Sequence, residues 1–153
     1  MPKPCPCTSG VPYAACCRPF HAGEREAETP EALMRSRFAA FAIGDAEYLW
    51  RTLHPDHADR ARPKAEMVSA LKAASRARKF MRLRILDAKG SRVLFHAGVF
   101  EKGADLSFVE LSTFAHDGTG WRYLDGDLHE GGTIDCHPEA EGPPELGLSS
   151  GGS

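Results

Sequence analysis

Residues 80–118 read FMRLRILDAKGSRVLFHAGVFEKGADLSFVELSTFAHDG, and their period decides the fold. Apolar and polar side chains alternate with a period of two over 80–90, 91–103 and 104–118. Lys89-Gly90, Lys102-Gly103 and Asp117-Gly118 punctuate these stretches as turns. A fourth stretch, TGWRYLDGDL at 119–128, continues the pattern. Strands of about 8–11 residues joined by such short links pair antiparallel in chain order, which predicts a meander.

Upstream the period lengthens. In TPEALMRSRFAAFAIGD (29–45), Thr29 is suited to cap a helix and Pro30 to its first position, and Glu31 favours the positive end of the helix dipole. Leu33, Met34, Phe38, Phe41 and Ala42 follow at helical spacing, and Gly44-Asp45 breaks the run. AEYLWRTLHP (46–55) predicts a second short helix that Pro55 stops, and PKAEMVSALKAASRAR (63–78) predicts a third. Helices first and a meander second give an α+β domain over 29–128, with the helices packed on one face of a curved antiparallel sheet.

The composition, 42% hydrophobic and 26% charged, is that of a soluble globular chain able to bury a core. No run of about 18 apolar residues is present, so no membrane span is expected. The first twenty residues hold Pro, Cys and Gly where a secretion signal needs an apolar stretch, which points to the cytoplasm. Charge is uneven: residues 30–79 hold ten Lys/Arg against six Asp/Glu, whereas residues 128–153 hold five acids and no Lys or Arg. The densest basic stretch, Lys72, Arg76, Arg78, Lys79, Arg82 and Arg84, lacks the interleaved aromatics of a single-strand binder, so nucleic acid is not an expected partner. Residues 137–153 are acidic and rich in Pro, Gly and Ser, and are expected to form a disordered tail.

Four of the five cysteines, Cys5, Cys7, Cys16 and Cys17, lie in CPCTSGVPYAACC, inside a segment (1–24) too poor in large apolar residues to fold unaided. Pro6 keeps Cys5 and Cys7 extended towards one point, Thr8-Ser9-Gly10 turns the chain, and the return brings Cys16 and Cys17 to that point. Four thiolates would close a tetrahedral Zn2+ site with no open position. The fourth ligand is open between Cys17 and His21, because adjacent cysteines at a helix start diverge and His21 lies one turn on. A disulfide between Cys16 and Cys17 would be strained, and a redox dithiol would more typically read C-x-x-C.

CPCTSGVPYAACC resembles the SEC-C zinc motif, C-P-C-G-S-G-x-x-Y-x-x-C-[HC], with Thr8 in place of the usual Gly. CCRPFHAG, TPEALMRSRFAAF, YLWRTLHP, VELSTF and GWRYLDG together are similar to the YchJ family. That resemblance, over roughly residues 4–127, implies a SEC-C segment followed by a nuclear-transport-factor-2-like domain with a cone-like, curved sheet. Many members carry a second SEC-C motif at the C-terminus; here residues 128–153 hold only Cys136. Since SEC-C segments elsewhere serve protein or ribosome contact, the resemblance implies an interaction module and a protein partner rather than a particular reaction.

The alternative function is a small-molecule-binding protein or metal-independent enzyme that uses a cavity between sheet and helices. In VELSTF, Glu110, Ser112 and Phe114 share a face, and Phe114 marks it as the packed one. A buried Glu110 needs a partner, and Arg37 on the first helix is the natural one. A dry core with this pair locked, next to an exposed zinc knuckle, would favour the interaction module; a cavity with Glu110 exposed inside it and unpaired would favour the alternative. His96, opposite in face to Phe95, is expected to be a satisfied or surface residue, with a place in the pocket beside Arg37, Glu110 and Ser112 as the other reading, and Asp125 and Asp127 are expected to serve the turn. No catalytic residue is assigned.

Overall fold

The computed structural model describes residues 3–129. The expected tail over 137–153, and Cys136 and His137, lie outside the described residues.

Four helices precede the sheet. A one-turn helix α1 (Arg18–His21) follows the cysteine segment. Helix α2 (Pro30–Ile43) starts where the capping signal stands: the Ala32 amide donates to Thr29 Oγ1 at 3.1 Å. It ends at Gly44, whose φ of 84° lets its amide close on the Ala40 carbonyl at 2.8 Å. Asp45 caps α3 (Ala46–Arg51) by accepting from the Tyr48 amide, and α4 (Lys64–Ala77) occupies the third expected helical stretch.

The strands are β1 (Lys79–Lys89), β2 (Arg92–Glu101), β3 (Ala104–Asp105), β4 (Phe108–His116) and β5 (Trp121–His129). They pair antiparallel in the order β1-β2-β4-β5, with β3 added to the end of β2. One difference from the expected meander is that the third strand is split. At Leu106–Ser107 the Val99 amide donates to Ser107 Oγ rather than to a backbone carbonyl, so the ladder is interrupted there.

Alternation fixes which face is inside. Val93, Phe95, Ala97 and Val99 of β2 and Phe114 of β4 are buried against Leu33, Met34 and Phe38 of α2. Each of the Val, Leu, Met and Phe side chains stabilises the fold by roughly 1.5–3 kcal/mol on burial. Phe80 of β1 stacks on Phe41 at 5.2 Å, which ties the far end of α2 to the edge strand. The chain after α3 is fastened to β5: the Tyr123 amide donates to Thr52 O and the His54 amide to Tyr123 O, both at 2.8 Å. Among the described residues no helix is long and apolar enough to cross a membrane.

Candidate functional site

The N-terminal segment folds back on itself before it meets the domain. The Cys5 amide donates to Val11 O at 3.0 Å and the Tyr13 amide to Lys3 O at 2.9 Å, so the two limbs of the loop run side by side. Gly10, at φ 91°, makes the turn. A short 3-10 turn (Tyr13–Ala15) then delivers Cys16 and Cys17 to the first two cysteines. The four sulfurs lie within 4.8 Å of one another, and those of Cys5, Cys7 and Cys17 belong to buried residues.

The chemistry of this donor set suits a metal. Zinc–sulfur bonds of about 2.3 Å at tetrahedral angles put the sulfurs about 3.8 Å apart. Cys7 and Cys16 Sγ are 3.6 Å apart and Cys16 and Cys17 Sγ 3.9 Å, far longer than a disulfide and close to that edge length. Without a cation the cluster holds little charge. Hydrogen bonding from the Cys17 thiol holds Cys7 down at about 4, while burial pushes Cys5 up to about 11. Hydrogen bonding to Cys7, with burial, raises Cys17 well above its ordinary value. A Cys7 thiolate beside Cys5 and Cys17 thiols held protonated is what the crowding favours; a divalent cation would replace those protons.

His21 is not turned to this cluster. Its Nε2 donates to Ser36 O and its Nδ1 accepts from Tyr13 Oη, each at 2.8 Å, so both ring nitrogens are spent. Burial lowers its pKa, consistent with the neutral ring these bonds require. The histidine is a brace between the motif tyrosine and α2.

Thr8 makes the second attachment. It sits at φ 59°, the left-handed region that costs a residue with a Cβ roughly 1–2 kcal/mol. Its hydroxyl accepts from the Leu83 amide at 3.1 Å and lies 3.0 Å from Leu83 O, on the outer edge of β1. These bonds cap an otherwise unpaired stretch of edge strand, which offsets the strain. Sequence reasoning marked Thr8 only as a departure from glycine; that departure is the signal that could have found the attachment.

The second feature is a cavity of about 520 Å³ between α2 and the face of the sheet that packs against it. Its walls are aromatic and aliphatic, among them Phe38, Phe41, Phe80, Phe95 and Phe108. Exposed Arg78, Leu106 and Leu128 mark its rim. Glu110, Ser112, Arg37 and Tyr123 supply its polar side.

The expected Arg37–Glu110 pair does not form. Arg37, 6% exposed, donates from Nη1 to Leu49 O at 2.9 Å and Thr52 Oγ1 at 2.7 Å, and its guanidinium lies 4.7 Å from the Tyr123 ring centroid. Glu110 Oε2 instead accepts from Ser112 Oγ at 2.7 Å and Tyr123 Oη at 2.8 Å. Tyr123 stands between the two charges as a shared partner: its ring faces the cation and its hydroxyl the anion. Burial, with the charge of Glu110, raises the Tyr123 pKa and keeps it a donor. Gly126 makes room for the arrangement, since a Cβ there would collide with the Glu110 carboxylate and the Tyr123 hydroxyl.

His96 lies on the other face of β2 from Phe95, across from Arg84 and Val109. It is half-buried and its Nδ1 is buried without a partner, so it is neither a surface nor a satisfied residue as expected, and it does not line the cavity. Tyr123 and Gly126 were not singled out from sequence. The register that puts Gly126 across from Ser112 depends on a bulge between Thr113 and Phe114 that alternation does not reveal.

Comparison with known proteins follows this division of the chain. A family model described as YchJ, middle NTF2-like domain, matches residues 29–126, and one described as SEC-C motif matches residues 1–19. A UPF0225 protein of Deinococcus radiodurans is 48% identical over 126 residues, covering 80% of this chain and 88% of that protein. The UPF0225 protein YchJ of Shigella dysenteriae is 34% identical over 148 residues, covering 93% and 94%. The solution structure of a SEC-C motif containing protein from Rhodopseudomonas palustris superposes with a TM-score of 0.71 at 35% identity, over 85% of this chain and all of that one. A crystal structure of a SEC-C motif containing protein from Psychrobacter arcticus has the same fold, with a TM-score of 0.66 at 24% identity over 86% and 85% of the two chains.

Proposed function

Since the chain belongs to the YchJ family, with a SEC-C segment ahead of an NTF2-like middle domain, we propose that it is a zinc-stabilised protein that binds a small apolar molecule in its cavity. Cys5, Cys7, Cys16 and Cys17 hold the zinc. Support for the metal comes from the all-sulfur donor set and its edge lengths; support for Cys17 over His21 comes from the two bonds that occupy the histidine ring. Four protein ligands leave zinc no position for water or substrate, so the metal's role is to shape the segment.

The observation that carries the ligand-binding reading is the cavity itself. About 520 Å³ lies within the roughly 300–1,000 Å³ range of ligand sites, and the walls combine apolar surface with a few convergent polar groups. A core built only for stability would be filled, because voids of this size forfeit packing energy.

The apolar fluorophore 2-methoxynaphthalene tests this reading. It should bind the intact protein saturably at about one site. Ala97→Phe, which places a ring into the cavity from the wall of β2, should weaken that binding at least about tenfold with the thermal midpoint kept or raised. Absence of saturable binding to the unaltered protein, by this ether and by its parent 2-naphthol alike, would contradict the reading.

A second reading, contact with a protein partner through the SEC-C segment, is favoured by one observation: Val11, just after the turn at Gly10, is 40% exposed. Val11→Asp would then lose partners that the unaltered chain captures while keeping its metal; a variant that keeps them all would exclude this reading.

A further inference from the structure

The cavity presents one acceptor that no described residue serves, and this narrows what it can hold. Glu110 Oε2 takes both neighbouring hydroxyls, from Ser112 and Tyr123, while Oε1 carries no hydrogen bond from any described residue. Tyr123 spends its proton on Oε2, and Ser112 does the same. Arg37 spends Nη1 on Leu49 O and Thr52 Oγ1 and turns its cationic face to the Tyr123 ring, while its Nε and Nη2 bond to no described residue. Oε1 is open to the cavity, where solvent is its only donor, and an entering molecule that brings a donor takes the solvent's place.

Charge narrows the class again. The ionisable lining groups are Glu110, Arg37 and Arg78, and Arg78 is already paired at the rim with Glu101 at 3.2 Å. Arg37, across the Tyr123 ring, balances Glu110, so the site does not require a cation. The flanking phenylalanine rings favour a flat partner, which they can meet edge-on or offset.

Resting on the ligand-binding reading above, we infer that the cavity selects a neutral, ring-bearing molecule with a hydrogen-bond donor, a hydroxyl or N–H, aimed at Glu110 Oε1. The Ser112 and Tyr123 hydroxyls and the missing side chain at Gly126 hold the carboxylate in place. They act as positioning groups.

The test compares two probes on the full chain: 2-naphthol, which donates, and its methyl ether 2-methoxynaphthalene, which cannot. The ether is the more apolar, so hydrophobic burial alone would favour it. The expected result is at least about tenfold tighter binding of 2-naphthol, the effect of a hydrogen bond to a charged acceptor. In Glu110→Gln the amide oxygen must serve the Ser112 and Tyr123 hydroxyls, which turns its NH2 group into the cavity. The 2-naphthol preference should vanish there, and 2-acetylnaphthalene, which only accepts, should gain. Equal binding of 2-naphthol and the ether to the unaltered protein would overturn this inference while leaving ligand binding intact. Failure of both probes to bind would overturn both. The comparison on the unaltered chain decides the matter even if the variant does not fold.

Discussion

Replacing Cys7 with serine is expected to strip the protein of its metal and to release the N-terminal segment from the domain. Cys7 is fully buried, its sulfur lies 3.6 Å from that of Cys16, and its carbonyl accepts from Arg35 of α2. A serine hydroxyl is not ionised near neutral pH and does not substitute for a thiolate on zinc. The cysteine loop has little else to fold around: apart from the cysteines, Tyr13 packs beside Ala39, while Phe20 and His21 hold the following turn to the domain. Structural zinc contributes on the order of 10–16 kcal/mol of binding free energy to isolated zinc-finger peptides, and losing one of four ligands removes enough of that to unfold a segment without a core. The site-specific readout is the Leu83 amide, which donates to Thr8 Oγ1 on the edge of β1. In Cys7→Ser its hydrogen exchange should rise towards that of an exposed amide, while the β2–β4 ladder stays protected. A variant that keeps both its metal and the Leu83 protection would refute the role given to Cys7.

Arg37→Ala should be the most damaging single change in the main domain, costing about 3–5 kcal/mol in denaturant-induced unfolding. Three losses coincide. Leu49 O and Thr52 Oγ1 lose donors in a buried setting; Thr52 is the residue whose carbonyl fastens β5 to the end of α3. The Tyr123 ring loses the cation over its face, and Glu110 loses a balancing charge. The space left by the guanidinium also enlarges a cavity that already exists. Arg37→Lys should recover part of the loss, because an ammonium group restores the charge but not the planar contact with the ring. A loss below about 1 kcal/mol for the alanine variant would mean that the polar wall is not a structural unit.

Much of this architecture can be read from the residues. Thr29-Pro30 and Gly44 delimit α2 because capping and left-handed backbone are local properties, and the cysteine spacing returns four sulfurs to one point for the same local reason. The inward face of β4 follows from alternation, since Glu110 and Ser112 both line the cavity and Phe114 is buried in the core beside it. What alternation does not carry is how α2 is placed over the sheet. Arg37 and Glu110 were natural partners by charge, but the bulge that brings Tyr123 across from Phe114 puts a ring between them. His21 was a candidate ligand by spacing, and the carbonyl that holds it away, Ser36 O, belongs to a helix packed against it. The Thr8 attachment was hidden for a similar reason: its partner, Leu83, is 75 residues away in sequence.

Zinc content together with thiol reactivity of the full chain, purified without chelator, tests the central claim most directly. The expected result is about one zinc per chain, with Cys5, Cys7, Cys16 and Cys17 unreactive to a thiol reagent until a chelator is added, when all four react together. Less than about half an equivalent of zinc, with those four thiols reacting freely from the start, would contradict it.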